Sequence, residues 1–201
     1  ALAASADGSH IYVLGTVKRT PPSTGTVQVL YAFQRNPVPG LGYGEVGKDP
    51  IDLETDGADD PSDSGSAIVC GNSNTPDPCM DPALDVAVSA DGRAVYVLST
   101  THLLLFNRVS NRLDPAFGSL SFGGALPLSS WVSTPRRLVL SGSHAYVSGV
   151  SGGTARVVVF KLDASSLQPT QLETTTTNVP NDVGPLALSA DGAYLFAASK
   201  A

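Results

Sequence analysis

The sequence predicts an all-β fold built from a repeated antiparallel hairpin, on three observations. A phrase recurs: "ALAASADGSHIYVLGT" opens the chain, "ALDVAVSADGRAVYVLST" begins at Ala83, and "PLALSADGAYLFAAS" runs close to the end. Apolar segments of strand length are separated by clusters of Gly, Pro, Ser, Thr and Asp, the residues that punctuate strands. No long stretch carries the 3.6-residue apolar period of an amphipathic helix. With 201 residues, 42% hydrophobic and only 15% charged, the chain has enough apolar material to fold around a core.

The elements follow when the phrases are aligned on Ser5, Ser89, Ser141 and Ser189. Each serine ends a short apolar strand: "LAA", "DVAV", "RLVL" and "PLAL". A turn follows, with Asp-Gly at Asp7-Gly8, Asp91-Gly92 and Asp191-Gly192; the third copy is shortened to "SGS". Asp-Gly suits a tight hairpin, because both residues tolerate positive φ. A second strand, "HIYVLG", "AVYVLS", "HAYVSG" or "YLFAAS", carries an aromatic at Tyr12, Tyr96, Tyr146 or Phe196. A third strand ends in an aromatic and then a polar residue: "TVQVLYAFQR", "HLLLFNR" and "ARVVVFKLD". A fourth is expected at residues 118–124 and 167–174.

Four antiparallel strands per unit make one blade of a β-propeller. The aligned serines are 84, 52 and 48 residues apart, and the last two spacings are near the ~40–50 residues of one blade. The expected units are a blade over residues 1–84 with an insertion at 37–82, blades over 85–136 and 137–184, and a half blade over 185–201. The pattern "SADGRAVYVLST" followed by "LLLFNR" resembles YVTN-type and lactonase-like β-propeller repeats of bacteria and archaea. That resemblance implies the propeller fold and leaves function open, because the repeat is carried by many unrelated proteins. Propellers close with 4–8 blades. About three and a half blades leave sheet edges and blade faces unpaired, so the chain is expected to belong to a longer propeller or to complete one with a partner. It begins at Ala1, inside a repeat phrase and without an initiator Met, as a processed product or a fragment would. A compact domain whose weaker copies form something else is the alternative.

The formal net charge of −6 offers no basic surface for nucleic acid or anionic membranes. No apolar run approaches the ~20 residues that span a bilayer. Cys70 and Cys79, in "CGNSNTPDPC", read as a local disulfide, with unpaired thiols of a cytosolic protein as the alternative. A bridge would place the chain outside the cell, on its surface or in a periplasm, and would stabilise it by ~2–3 kcal/mol.

"DLETDGADDPSD" sets Asp52, Glu54, Asp56, Asp60 and Asp63 at loop positions 1, 3, 5, 9 and 12, with Gly57 at position 6. Calcium takes 6–8 hard oxygen ligands, and this spacing lets one loop wrap the ion. The run resembles the calcium loops of thrombospondin type-3 repeats, and more loosely an EF-hand loop. It departs from the first at Glu54 and from the second in lacking Glu at position 12. Calcium is the one cofactor expected, against the plainer reading of a solvated acidic loop.

Catalytic signatures are absent: there is no "GxSxG" elbow and no "HExxH". His10 and His144 occupy equivalent turn-to-strand positions and read as surface residues beside hairpins. "SGSH" at 141–144 and "VSGGT" at 150–154 read as turns. Trp131 is expected in core packing, at a blade junction or at a channel mouth, with Arg136 and Arg137 presenting charge ahead of a strand. The function expected is therefore a scaffold or interaction domain of a larger surface or secreted protein, stabilised by calcium and binding other protein chains. A lactonase-like hydrolase is the alternative, implied by the family resemblance alone.

Overall fold

The computed structural model describes residues 1–18, 26–35, 42–45, 51–52, 82–180 and 183–198. All its regular elements there are strands, and the pairing is antiparallel throughout. The first sheet is β1 (Leu2–Ala4), β2 (His10–Lys18), β3 (Thr26–Arg35) and β4 (Tyr43–Glu45), in that order, with β5 (Ile51–Asp52) also paired to β3. Thus two short strands within the stretch expected as an insertion belong to the first sheet. The second sheet is β6 (Ala83–Val88), β7 (Ala94–Ser99), β8 (His102–Arg108) and β9 (Leu120–Pro127). The third is β10 (Thr134–Ser141), β11 (His144–Ser151), β12 (Thr154–Leu162) and β13 (Pro169–Pro180). A two-stranded sheet, β14 (Leu186–Leu188) and β15 (Leu195–Ala197), follows.

The first strands of successive sheets touch in sequence, β1 with β6, β6 with β10 and β10 with β14. The sheets therefore stand side by side with their first strands inward, which is the arrangement of propeller blades. Asp85 fixes one such step: its Oδ1 accepts from the Val86 amide at 3.1 Å and its Oδ2 from Leu138, on the neighbouring first strand, at 3.0 Å.

Each core lies in a seam between two sheets, and strand alternation explains why. On β7, Ala94, Tyr96 and Leu98 face the third sheet, while Val95 and Val97 face the first. On β8, Leu103 and Leu105 face the third sheet, and Leu104 and Phe106 the first. Successive side chains of a strand point to opposite faces, so a blade buried on both faces must be apolar at every position. That is why "AVYVL" and "LLLF" are continuous apolar runs rather than alternating ones.

The Asp-Gly turns work differently from the expectation of two left-handed residues. Gly8, Gly92 and Gly192 have φ of 64°, 68° and 70°, whereas Leu167 is the only non-glycine with positive φ among the described residues. The aspartates act instead as acceptors. Asp7, Asp91 and Asp191 Oδ1 accept from the Ser5, Ser89 and Ser189 hydroxyls at 2.7, 2.6 and 2.5 Å. Each also accepts from the backbone amide two residues on, at 3.0 Å in all three. The same serine hydroxyls take the amides of His10, Ala94 and Tyr194 at 3.0, 2.9 and 2.9 Å. The Ser-x-Asp-Gly repeat is thus a self-satisfied turn, which a backbone reversal close to the surface requires. "SGSH" and "VSGGT" are two-residue turns, the latter with Gly152 and Gly153 at φ 59° and 75°.

Candidate functional site

The described residues with the most unusual chemistry lie in the seam between the first two sheets. Arg108 ends β8 and is buried. Its Nε donates to the Tyr12 hydroxyl at 2.6 Å, its Nη1 to the Gly92 carbonyl at 2.7 Å and its Nη2 to His10 Nδ1 at 2.7 Å. The guanidinium also lies over the Phe117 ring, 5.1 Å from its centroid. Hydrogen bonds and an aromatic face let a cation stay out of water. Asp7 joins the network through the Ser9 hydroxyl and is itself held by Arg112 at 2.9 Å.

His10 is fully buried, which corrects its reading as a surface residue. Its burial comes from the second sheet: Phe117 stands edge-on to the imidazole at 4.7 Å, and Gly118 lies against Nε2. A Cβ at Gly118 would overlap that nitrogen. Because a guanidinium only donates, His10 Nδ1 accepts and the proton sits on Nε2. That Nε2 is buried and has no hydrogen-bond partner within bonding geometry. Burial first, then the Arg108 charge, push the His10 pKa below the ordinary imidazole value. The Phe117 backbone favours the charged ring, but more weakly than those two effects disfavour it.

The tyrosines of the repeat clasp neighbouring sheets. Tyr12 donates its hydroxyl to the Gly118 carbonyl at 3.3 Å, and Tyr96 donates to the Leu167 carbonyl at 2.6 Å. Both acceptors lie in the loop between the third and fourth strands of the next sheet, and both have positive φ: 90° at Gly118 and 62° at Leu167. Burial raises the pKa of both phenols, so they stay protonated donors.

The fourth sheet breaks this pattern. Phe196 holds the repeat position of Tyr12 and Tyr96, and Tyr194 that of His10 and Ala94. The equivalents are buried, but Tyr194 is 66% and Phe196 60% exposed. Leu195, on the opposite face of β15, packs with Tyr146, Val183 and Leu186 against the third sheet.

The other residues singled out from sequence are scattered. His102 starts β8 and is half-buried, as is His144 at the start of β11. Trp131 packs edge-on against Phe160 at 5.6 Å in the seam between the second and third sheets. Arg136 and Arg137 lie within β10 rather than ahead of it, and are exposed. Asp52 ends β5 opposite Val29; Glu54, Asp56, Asp60, Asp63, Cys70 and Cys79 lie outside the described residues. No group of three or more His, Cys, Asp or Glu is placed to hold a metal among the described residues. Among them, too, no helix is long and apolar enough to cross a membrane. Sequence reasoning missed Arg108, Gly118 and Leu167. The recurring third-strand aromatic followed two residues on by Arg was the available signal for Arg108.

No protein-family model matches the chain, and no curated protein is similar to it. Solved structures do match in shape. A functionally unknown protein from Desulfotomaculum acetoxidans aligns with a TM-score of 0.54 at 15% identity, over 99% of this chain and 62% of that one. A protein from Lactobacillus plantarum aligns at 0.49 and 19% identity, over 98% and 62%. A candidate 6-phosphogluconolactonase from Bacteroides fragilis aligns at 0.47 and 13%, over 98% and 75%. Identities this low speak to fold alone. The chain spans about three-fifths of the length of the first two of these proteins. The fold defined is thus that of β-propeller blades, four-stranded antiparallel sheets set side by side.

Proposed function

We propose that this chain is a scaffold or interaction module of a larger extracellular, cell-surface or periplasmic β-propeller protein. The observation that carries the proposal is the exposed face of β15. Tyr194 and Phe196 present to solvent the repeat positions that, in both complete seams, are covered by a neighbouring sheet. Adjacent exposed aromatics mark a surface built to be covered. The occupant is a further blade or another protein chain.

The test is association. Phe196→Asp, combined with Tyr194→Ser, should leave folding intact and abolish binding to the partner or to a second copy, read by light scattering and pull-down. Wild-type protein that neither self-assembles nor captures a partner overturns the reading. So does lactone turnover that survives purification, which would establish the hydrolase alternative instead.

Two supporting features belong to the same proposal. Cys70 and Cys79 form a disulfide, checked by thiol titration before and after reduction. Asp52, Glu54, Asp56, Asp60 and Asp63 bind calcium, checked by titration calorimetry; unchanged heat and melting temperature at millimolar calcium would remove the ion from the account.

A further inference from the structure

We propose that His10 makes the seam between the first and second sheets a pH-sensitive joint that loosens selectively in mild acid. The geometry carries this. The neutral imidazole is the acceptor that completes the hydrogen bonding of a buried guanidinium, with Arg108 Nη2 at 2.7 Å from Nδ1. Protonation turns that acceptor into a donor and sets two cations face to face in a buried site. Nε2 already carries its proton and is buried against Gly118 without a partner in bonding geometry, and the Phe117 backbone favours the charged ring less than burial and Arg108 disfavour it. Arg108 must then withdraw, and with it go its bond to the Tyr12 hydroxyl, which crosses the seam, and its bond to the Gly92 carbonyl within the second sheet.

The other groups around the imidazole do not offset this. From the turn of the first sheet comes Asp7, which reaches His10 only through Ser9: the Ser9 hydroxyl donates to Asp7 Oδ1 at 2.6 Å and lies 2.8 Å from His10 Nδ1. Asp7 would favour an imidazolium, but Arg112, from the loop after β8, already holds its other oxygen. From β2 comes the neutral Tyr12 phenol, and from β8 the Arg108 cation. The turn bearing Gly92 carries Asp91, whose outer oxygen is paired with Arg93 at 3.8 Å. The cation nearest to the imidazole is therefore Arg108, and the nearest anion is already engaged.

His10 has a folded pKa below its unfolded value of about 6.5, so the folded state binds fewer protons and stability falls as pH drops below about 6.5. The unfolding equilibrium constant should rise from this group by up to about tenfold per pH unit, until the folded imidazole itself titrates. The second seam is an internal control. There Ala94 stands at the His10 position and Leu162 at the Arg108 position, while the tyrosine clasp is retained.

The experiment has two readouts on the whole chain. First, the three histidine Cε1 protons are followed by NMR in wild-type protein from pH 8 to 4.5, with His10→Asn assigning the His10 signal. His10 should titrate below the ordinary imidazole value; titration at or above that value overturns the proposal. Second, amide exchange, corrected for intrinsic pH dependence, is compared between residues 117–120 and 166–168. Protection should fall in mild acid only in the first group; parallel loss in both groups overturns it. His10→Asn keeps an acceptor near Nδ1 and cannot titrate, so its urea stability should lose the limb between pH 6.5 and 5. Both main readouts use wild-type protein and decide between these outcomes even where a variant fails to fold.

Discussion

The two complete seams join similar sheets with the same tyrosine clasp, yet one is polar at its rim and the other apolar. Between the first and second sheets, Arg108, His10 and Tyr12 form a buried hydrogen-bonded cluster over Phe117. Between the second and third, Leu162, Ala94 and Tyr96 occupy the same repeat positions, and Phe160 and Leu167 complete an apolar cluster. The difference teaches that the repeat specifies where a sheet is clasped but not by what chemistry. Burying apolar surface adds about 25 cal/mol per Å² without demanding partners, whereas a buried cation must keep every bond it makes. The first seam is therefore the more specific joint and the more easily broken one.

Gly118 and Leu167 offer the strongest way to break that comparison. Gly118→Ala would drive a methyl group into His10 Nε2 at φ 90°. Strain and overpacking together should cost about 2–5 kcal/mol in urea unfolding. Leu167→Gly meets opposite terms: relief of a left-handed leucine against loss of its buried side chain. The net cost should be about 1 kcal/mol. Equal effects at the two sites would mean that the loops are not equivalent clasps.

Removing the two clasp hydroxyls is a sharper and smaller test. Tyr12→Phe leaves Arg108 Nε, buried and charged, without its acceptor, as well as the Gly118 carbonyl without its donor. The cost should be about 2–3 kcal/mol. Tyr96→Phe leaves only the Leu167 carbonyl short of a donor, with an expected cost of about 1 kcal/mol. Arg108→Leu tests the reason. It makes the first seam like the second, and Tyr12→Phe in that background should cost no more than Tyr96→Phe does in wild-type protein.

The strands and their order were legible because apolar segments of strand length, a recurring turn and a 48–52-residue repeat all describe the same hairpins. Even the burial of both faces of β7 and β8 can be read from their unbroken apolar runs. His10 was not legible. Beside a polar turn it looks exposed, and only Phe117 and Gly118, more than a hundred residues along the chain, cover it. Leu167 was illegible for another reason: leucine carries no left-handed signal, and its backbone is set by the Tyr96 hydroxyl and by packing from a different sheet. Contacts between repeats are not written in the local period of either one.

The smallest effect concerns what the two seams share. Asp91 and Asp7 close equivalent turns, and their carboxyls lie below the usual range. At Asp7 the Ser9 hydroxyl is the largest cause; at Asp91 burial opposes the shift, but the hydrogen bonds from Ser89 and from the Arg93 amide outweigh it. A depressed carboxyl contributes stability above its unfolded value near 3.9 and loses it as pH falls through the folded one, so this acid limb lies below that of His10. Asp91→Ala removes the acceptor for two donors and should cost about 1–2 kcal/mol at neutral pH. Asp91→Asn keeps both acceptor contacts and should cost only a few tenths, while flattening part of the limb below pH 4. Because the turn is common to both sheets, neither variant should alter the exchange difference between the seams in mild acid. If Asp91→Asn did erase that difference, the acid-sensitive element would be the turn and not the imidazole.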